Sequence, residues 1–331
     1  MRIGYFLSGE EYTPAQLVEQ AKSAEQAGFD ALWVSDHFHP WNDEQGQSSF
    51  VWSVIGAVSQ ATNLPVATAV TCPTTRIHPA IVAQAAATSA TMLPEFILGV
   101  GTGELLNEHV LGQRWPNTSE RLEMLEESIE VMRKLWAGGF VDHHGAHYTV
   151  ENAQVYTRPQ TPPKVYISAF GPKAAALAGR IGDGFVSTTP DADAIKAFRE
   201  AGGEGKPMQA GYKVCWSADK DTALDTAYKV WPNEALPGEL AQALSSPKHF
   251  EQASELVTKD MIAESSILGN DVEEHVEGFR PFAEAGFDDI YISQIGAGRA
   301  GTEAAGFFEF YAKDVLPRLR DLHASGVRSA A

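Results

Sequence analysis

Glu25-Gln26-Ala27-Gly28-Phe29-Asp30-Ala31-Leu32-Trp33-Val34-Ser35 recurs near the far end of the chain as Ala283-Glu284-Ala285-Gly286-Phe287-Asp288-Asp289-Ile290-Tyr291-Ile292-Ser293. A looser copy reads Ala178-Gly179-Arg180-Ile181-Gly182-Asp183-Gly184-Phe185-Val186-Ser187. In each, a helical pattern stops at a glycine, the residue that most readily lets a chain leave a helix by a tight turn. An apolar run follows at once, too short for a helix and rich in strand-forming residues. A helix–turn–strand unit used three times predicts parallel strands separated by helices.

Outward from these copies the same alternation continues. Strands are expected at Arg2–Leu7, Ala31–Val34, Val66–Thr71, Phe96–Val100, Val165–Ser168, Gly184–Thr188, Gln209–Trp216 and Asp289–Ser293, eight in all. An open doubly wound sheet uses the same unit. The count of eight, and the lack of a Gly-x-Gly-x-x-Gly after the first strand, favour a closed (β/α)8 TIM barrel occupying residues 1–331 as one domain. Helix ends are legible between the strands. Thr13, Pro14 and Gln16 form a capping-box start with Gly28 past the end. Asn117 with Glu120 opens a helix bearing Leu122, Leu125, Ile129 and Met132, and one from about Thr302 carries Phe307, Phe308, Tyr311 and Val315. Two stretches exceed the plain pattern: a hairpin at about 140–160, before the fifth strand, and a broken helical segment at 231–270, between the seventh and eighth. Long barrel insertions serve as lids, substrate loops or subunit contacts.

The net charge of −18 over 331 residues disfavours nucleic acid and anionic membrane surfaces as partners. No apolar run reaches membrane-spanning length, and Cys72 and Cys215 make no disulfide framework, so a cytoplasmic enzyme with a small-molecule substrate is expected.

Residues suited to chemistry gather where strands end. Ser35-Asp36-His37-Phe38-His39-Pro40-Trp41 follows the second strand, and Gly99-Val100-Gly101-Thr102-Gly103-Glu104 closes the fourth. In a parallel barrel those ends share one mouth. His37 is either a proton acceptor, since imidazole titrates near neutrality, or a histidine packed in a loop. His37 and His39 lack a third ligand nearby, so no metal is expected. Trp41 is a stacking face or a lid anchor. Glu104 follows glycines that let backbone approach a ligand, and Glu108, one turn on, is expected to be solvated. Ser168-Ala169-Phe170-Gly171 runs into a helix opened by Pro172, an arrangement that leaves backbone N–H groups for a phosphate.

Together these motifs resemble the luciferase-like flavin and deazaflavin oxidoreductases, and within them the coenzyme F420-dependent glucose-6-phosphate dehydrogenase group. The resemblance spans nearly the whole chain and is densest at Ser35–Trp41, Leu98–Asn107 and Val165–Phe185. It implies a luciferase-like barrel, a homodimer, and F420 in the mouth, with FMN as the alternative cofactor. His37 would then take the substrate hydroxyl proton, Trp41 position the substrate, and Glu104 protonate the deazaflavin. Asp36, Ala69, Val70, Thr71, Cys72, Gly101, Thr102, Gly103 and Asn107 would border the cofactor. Ser168, Ala169, Phe170 and Gly171 would wrap its phosphate, and Ala69–Val70 matches a non-prolyl cis peptide. Glu10, Thr188 and Glu264 fall at substrate-side positions.

One departure concerns the substrate. Two lysines and an arginine that hold a sugar phosphate in that group fall here at Pro190 or Asp191, near Ala241, and at Glu264. Carboxylates in place of cations would repel a phosphate, so glucose 6-phosphate is not the expected substrate. The implied reaction is hydride transfer between a CH–OH group and F420. The reverse reduction, an FMN monooxygenase, and a barrel that only binds cofactor remain open at this stage.

Overall fold

The computed structural model describes residues 1–329 of the expected 1–331 domain; Ala330 and Ala331 lie outside the described residues. Its strands are β1 (Arg2–Leu7), β2 (Leu32–Val34), β3 (Val66–Thr68), β4 (Phe96–Val100), β5 (Val141–His144), β6 (Thr149–Ala153), β7 (Lys164–Ser168), β8 (Gly184–Ser187), β9 (Met208–Cys215), β10 (Ile267–Leu268) and β11 (Asp289–Gln294). Eight of them run parallel in the order β9-β11-β1-β2-β3-β4-β7-β8, and β8 pairs back onto β9 to close the barrel. This is the (β/α)8 architecture that the repeats foretold.

The two insertions take different forms. β5 and β6 make the expected antiparallel hairpin, its turn closed by Gly145 N–H donating to the Tyr148 carbonyl. The 231–270 segment contains short helices and ends in β10, which pairs with Val214 and Cys215 at the outer end of β9. Among the described residues no helix is long and apolar enough to cross a membrane.

Helix starts follow their sequence signals. Thr13 accepts from Gln16 N–H while Gln16 caps Thr13 in return, and Asn117 accepts from Glu120 N–H. The repeated unit shows a second device. Asp30, Asp183 and Asp288 occupy equivalent places, and each accepts the first free N–H of the neighbouring strand: Ile3 at 2.9 Å, Val165 at 2.9 Å and Met208 at 2.8 Å. Gly28 and Gly286 take positive φ as expected, but Gly182 in the looser copy is extended at φ −75.

Side chains alternate in and out of the wall. Outward residues such as Tyr5, Ile167, Phe185 and Ile292 pack under the helices. Inward ones form a separate plug of Trp33, Ile97, Tyr166, Val186 and Tyr291, with Trp33 and Tyr291 stacked 4.4 Å apart. The plug needs glycine opposite its rings: a Cβ on Gly4 would sit 2.2 Å from Tyr291. Below it, Arg2 pairs with Asp289 at 2.7 Å, and Gln209 bridges Asp289 to the Trp33 indole. The barrel is thus sealed at its N-terminal end. Space for a ligand lies at the C-terminal mouth, where the inward series continues as Phe6, Ser168, Lys213 and Ser293.

Candidate active site

His37 emerges just past β2, with its two ring nitrogens facing two carboxylates. Nδ1 is 3.3 Å from Glu10 Oε1, and Nε2 is 4.0 Å from Glu104 Oε2. Its ring meets Trp41 edge-on at 5.0 Å between centroids. Glu10 is buried, and its other oxygen accepts from the hydroxyls of Ser8 and Ser35, each at 2.8 Å. Burial pushes this carboxyl up. The neighbouring His37, Glu10's own N–H and the two hydroxyls outweigh it and hold the group below the usual carboxylate range. Glu10 thus sets an ionised carboxylate 3.3 Å from Nδ1, and Nε2 is the ring nitrogen on the Glu104 side.

Three loops are stitched so that these groups stay in place. Asn107 Oδ1 accepts the N–H groups of Phe38 and His39 at 2.8 and 3.0 Å, fixing the backbone beside His37, while its amide reaches Glu104 at 3.4 Å. Beneath them, Arg76 pairs with Asp36 at 2.8 Å and stands 3.6 Å from Glu108. Asp36, Arg76 and Glu108 come from the connections after β2, β3 and β4. Glu108 is buried rather than solvated, which corrects the sequence expectation; burial outweighs Arg76 and pushes its carboxyl up to about 7. His39 turns away from His37, its Nδ1 lying 3.0 Å from the Leu106 carbonyl.

The mouth has two unlike halves. Over β3, β4 and β7 the surface is small and backbone-rich. The Ala69–Val70 peptide is cis, and a Cβ on Gly101 would come 2.9 Å from Val70, one on Gly103 2.7 Å from Cys72. Gly171 begins the ten-residue helix Pro172–Ile181 with no side-chain cap, and a Cβ there would meet nothing within 4 Å. That is a cradle for a flat ring with an open anion position at its end. The other half is aromatic and charged. Phe250 stands edge-on to Trp41 at 5.0 Å, and Trp231 stacks on the ammonium of Lys213 at 4.1 Å.

Most residues expected at the site converge here, though several do other work. Asp36 gives its oxygens to Arg76 and Thr71, and Thr71 is thereby held inward. Cys72 bonds to Thr74 at 2.9 Å, and burial pushes its thiol up. Ala169 donates its N–H to Val186 in the sheet, whereas Phe170 projects freely at 57% exposure. Thr102 lies between the two glycines, and Thr188 is exposed just past β8. Glu264 is exposed on the helix Lys259–Ser265, which packs against the helix Lys220–Val230. Asp191 caps the helix Ala192–Phe198 by accepting from Ala194 at 2.7 Å. Arg76 and Lys213 escaped the sequence reading. The signal for Lys213 was its place in the inward series Gln209, Gly211, Lys213.

The family of luciferase-like monooxygenases matches residues 1–289 of the chain. The F420-dependent glucose-6-phosphate dehydrogenase of Segniliparus rotundus is 36% identical over 339 residues, covering 97% of this chain and 99% of that protein. Its counterpart from Kribbella flavida is 36% identical over 337 residues, with 97% and 99% covered. Among solved structures, an F420-dependent secondary alcohol dehydrogenase in complex with an F420–acetone adduct superposes with a TM-score of 0.87. It is 33% identical, over 97% of this chain and 99% of that one.

Proposed function

The chain belongs to the luciferase-like monooxygenase family, and from that membership we propose that it is a coenzyme F420-dependent oxidoreductase acting on the CH–OH group of a neutral alcohol. The observation that carries this reading is His37 held between Glu10 and Glu104 on the border of the two halves of the mouth. The glycine-lined half fits the cofactor: Ala69–Cys72 and Gly101–Gly103 would back its ring, and Ser168, Phe170 and Gly171 would meet its phosphate. When bound, F420 supplies a ring that accepts two electrons and a proton's worth of hydrogen from the alcohol carbon.

The chain's own groups do the rest. Glu10, 3.3 Å from Nδ1, would orient the ring by its charge, leaving Nε2 of His37 to take the hydroxyl proton. Glu104, 4.0 Å from His37 Nε2, would hold the proton that a reduced deazaflavin takes up. Trp41 packs the substrate against His37, with Phe250 behind it. Trp41 is the partly exposed aromatic face beside His37, with Phe250 buried behind it, and that apolar face supports an alcohol over a sugar phosphate. Asn107 is assigned a holding role on the two loops.

We assign a homodimer and a cytoplasmic location as well. The connections after β2, β3 and β4 expose Phe38, Phe50, Ile81 and Leu111 in one sector, a surface suited to a second copy. Two buried, unpaired thiols suit a reducing compartment.

The test is direct. Purified protein with oxidised F420 and propan-2-ol should lose the oxidised deazaflavin absorbance, while FMN in place of F420 should give no reduction. Failure to reduce F420 with alcohols, sugars and sugar phosphates alike, and to oxidise reduced F420 with ketones, would overturn the assignment.

A further inference from the structure

We propose that Lys213 and Glu234 form a charge-neutral specificity pair in the substrate half of the mouth, and that this pair keeps anionic substrates out. The inference rests on the functional reading for the location of the substrate, and deepens it by naming what sets the substrate's charge.

Lys213 lies on β9 in the same inward series as Gln209 and Gly211, so its stem rises from the barrel interior. Its ammonium is fixed from three sides. It sits 4.1 Å from the Trp231 ring centre and 5.7 Å from that of Phe6, and it donates to Glu234 Oε1 at 2.7 Å. The Lys213 side chain is 17% exposed and that of Glu234 40%, so the cation is the inner partner and the carboxylate the outer one. Trp231 and Trp41 join one apolar cluster, which places this ammonium on the wall that continues to His37. A half-buried ammonium beside aromatic faces would draw a carboxylate or phosphate strongly, since low local polarity magnifies the attraction. Glu234 cancels that charge while leaving the ammonium N–H groups able to donate to a neutral hydroxyl or carbonyl. Glu234 arrives on the insertion after β9, so the element that varies the lid also sets the charge the pocket accepts.

The experiment uses two ligands of one shape, 2-methylpropanoate and 2-methylpropanamide, titrated calorimetrically into the F420-saturated protein. The parent should bind the amide at least as tightly as the carboxylate. Glu234→Gln should bind the carboxylate about tenfold or more tighter than the parent does, with the amide unchanged within about twofold. Adding Lys213→Met to Glu234→Gln should remove the gain. Carboxylate affinity within about twofold of the parent in Glu234→Gln would overturn the proposal, as would a gain that survives Lys213→Met. Propan-2-ol turnover by the parent is read in parallel. Its absence would sink the functional reading, whereas the carboxylate-to-amide contrast judges the pair by itself.

Discussion

At the residue scale, the proposed site turns on one histidine set between two carboxylates, Glu10 and Glu104. Glu10 is held ionised by His37 and two serine hydroxyls, so Glu10→Gln removes the charge that orients Nδ1 without removing bulk. Turnover should fall about 10- to 100-fold with cofactor affinity little changed, whereas His37→Ala should cost about 10²–10⁴-fold in kcat, the range for a lost general base. Glu104→Gln should likewise depress kcat far more than F420 binding. Stopped-flow reduction of F420 alongside a cofactor titration separates the two quantities. Equal activity in Glu104→Gln would remove that carboxyl from proton delivery.

At the element scale, three connections are pinned by one buried guanidinium. Arg76→Met leaves Asp36 and Glu108 without their cation, and breaking such a buried group by deleting one partner costs about 3–5 kcal/mol. Chemical denaturation should show that loss. Glu108 adds a pH dependence whose sign follows from its raised value. An ordinary glutamate titrates near 4.5 and Glu108 at about 7, so between these values the folded state holds the extra proton. Stability from this group is present below about 4.5 and declines as pH rises toward 7, by roughly 3 kcal/mol at most. Glu108→Gln cannot ionise, so its denaturation midpoint should change less across that window than the parent's. The helix signals, the repeats and the motifs at strand ends were readable because each is a local arrangement of a few residues. Arg76, Lys213 and the burial of Glu108 were not, because each depends on which loops the closed barrel brings together.

At the scale of the whole molecule, closure links the two ends of the chain. Tyr5 on β1 packs against Phe29, Phe307 and Phe308, and Phe307 meets Tyr311 at 4.2 Å, so the final helices clasp the first strand. Phe307→Ala should lower stability by about 3–5 kcal/mol, seen as a lower denaturation midpoint with the site's spectrum intact in what remains folded. The exposed sector makes a separate prediction. Phe50→Glu with Leu111→Glu should convert a dimer to a monomer by light scattering, with helix content retained; a monomeric parent would overturn the homodimer.

The aspartates at Asp30, Asp183 and Asp288 bind neighbouring strands together at the rim opposite the mouth. Such an arrangement divides inheritance from novelty. What keeps the cylinder standing is written at one end, and what on the proposed reading chooses the reactant is written at the other. A relative could therefore acquire a new preference by exchanging residues of the mouth, those of 231–270 among them. Grafting that segment between members of the family becomes a practical route to redirecting such enzymes without rebuilding them.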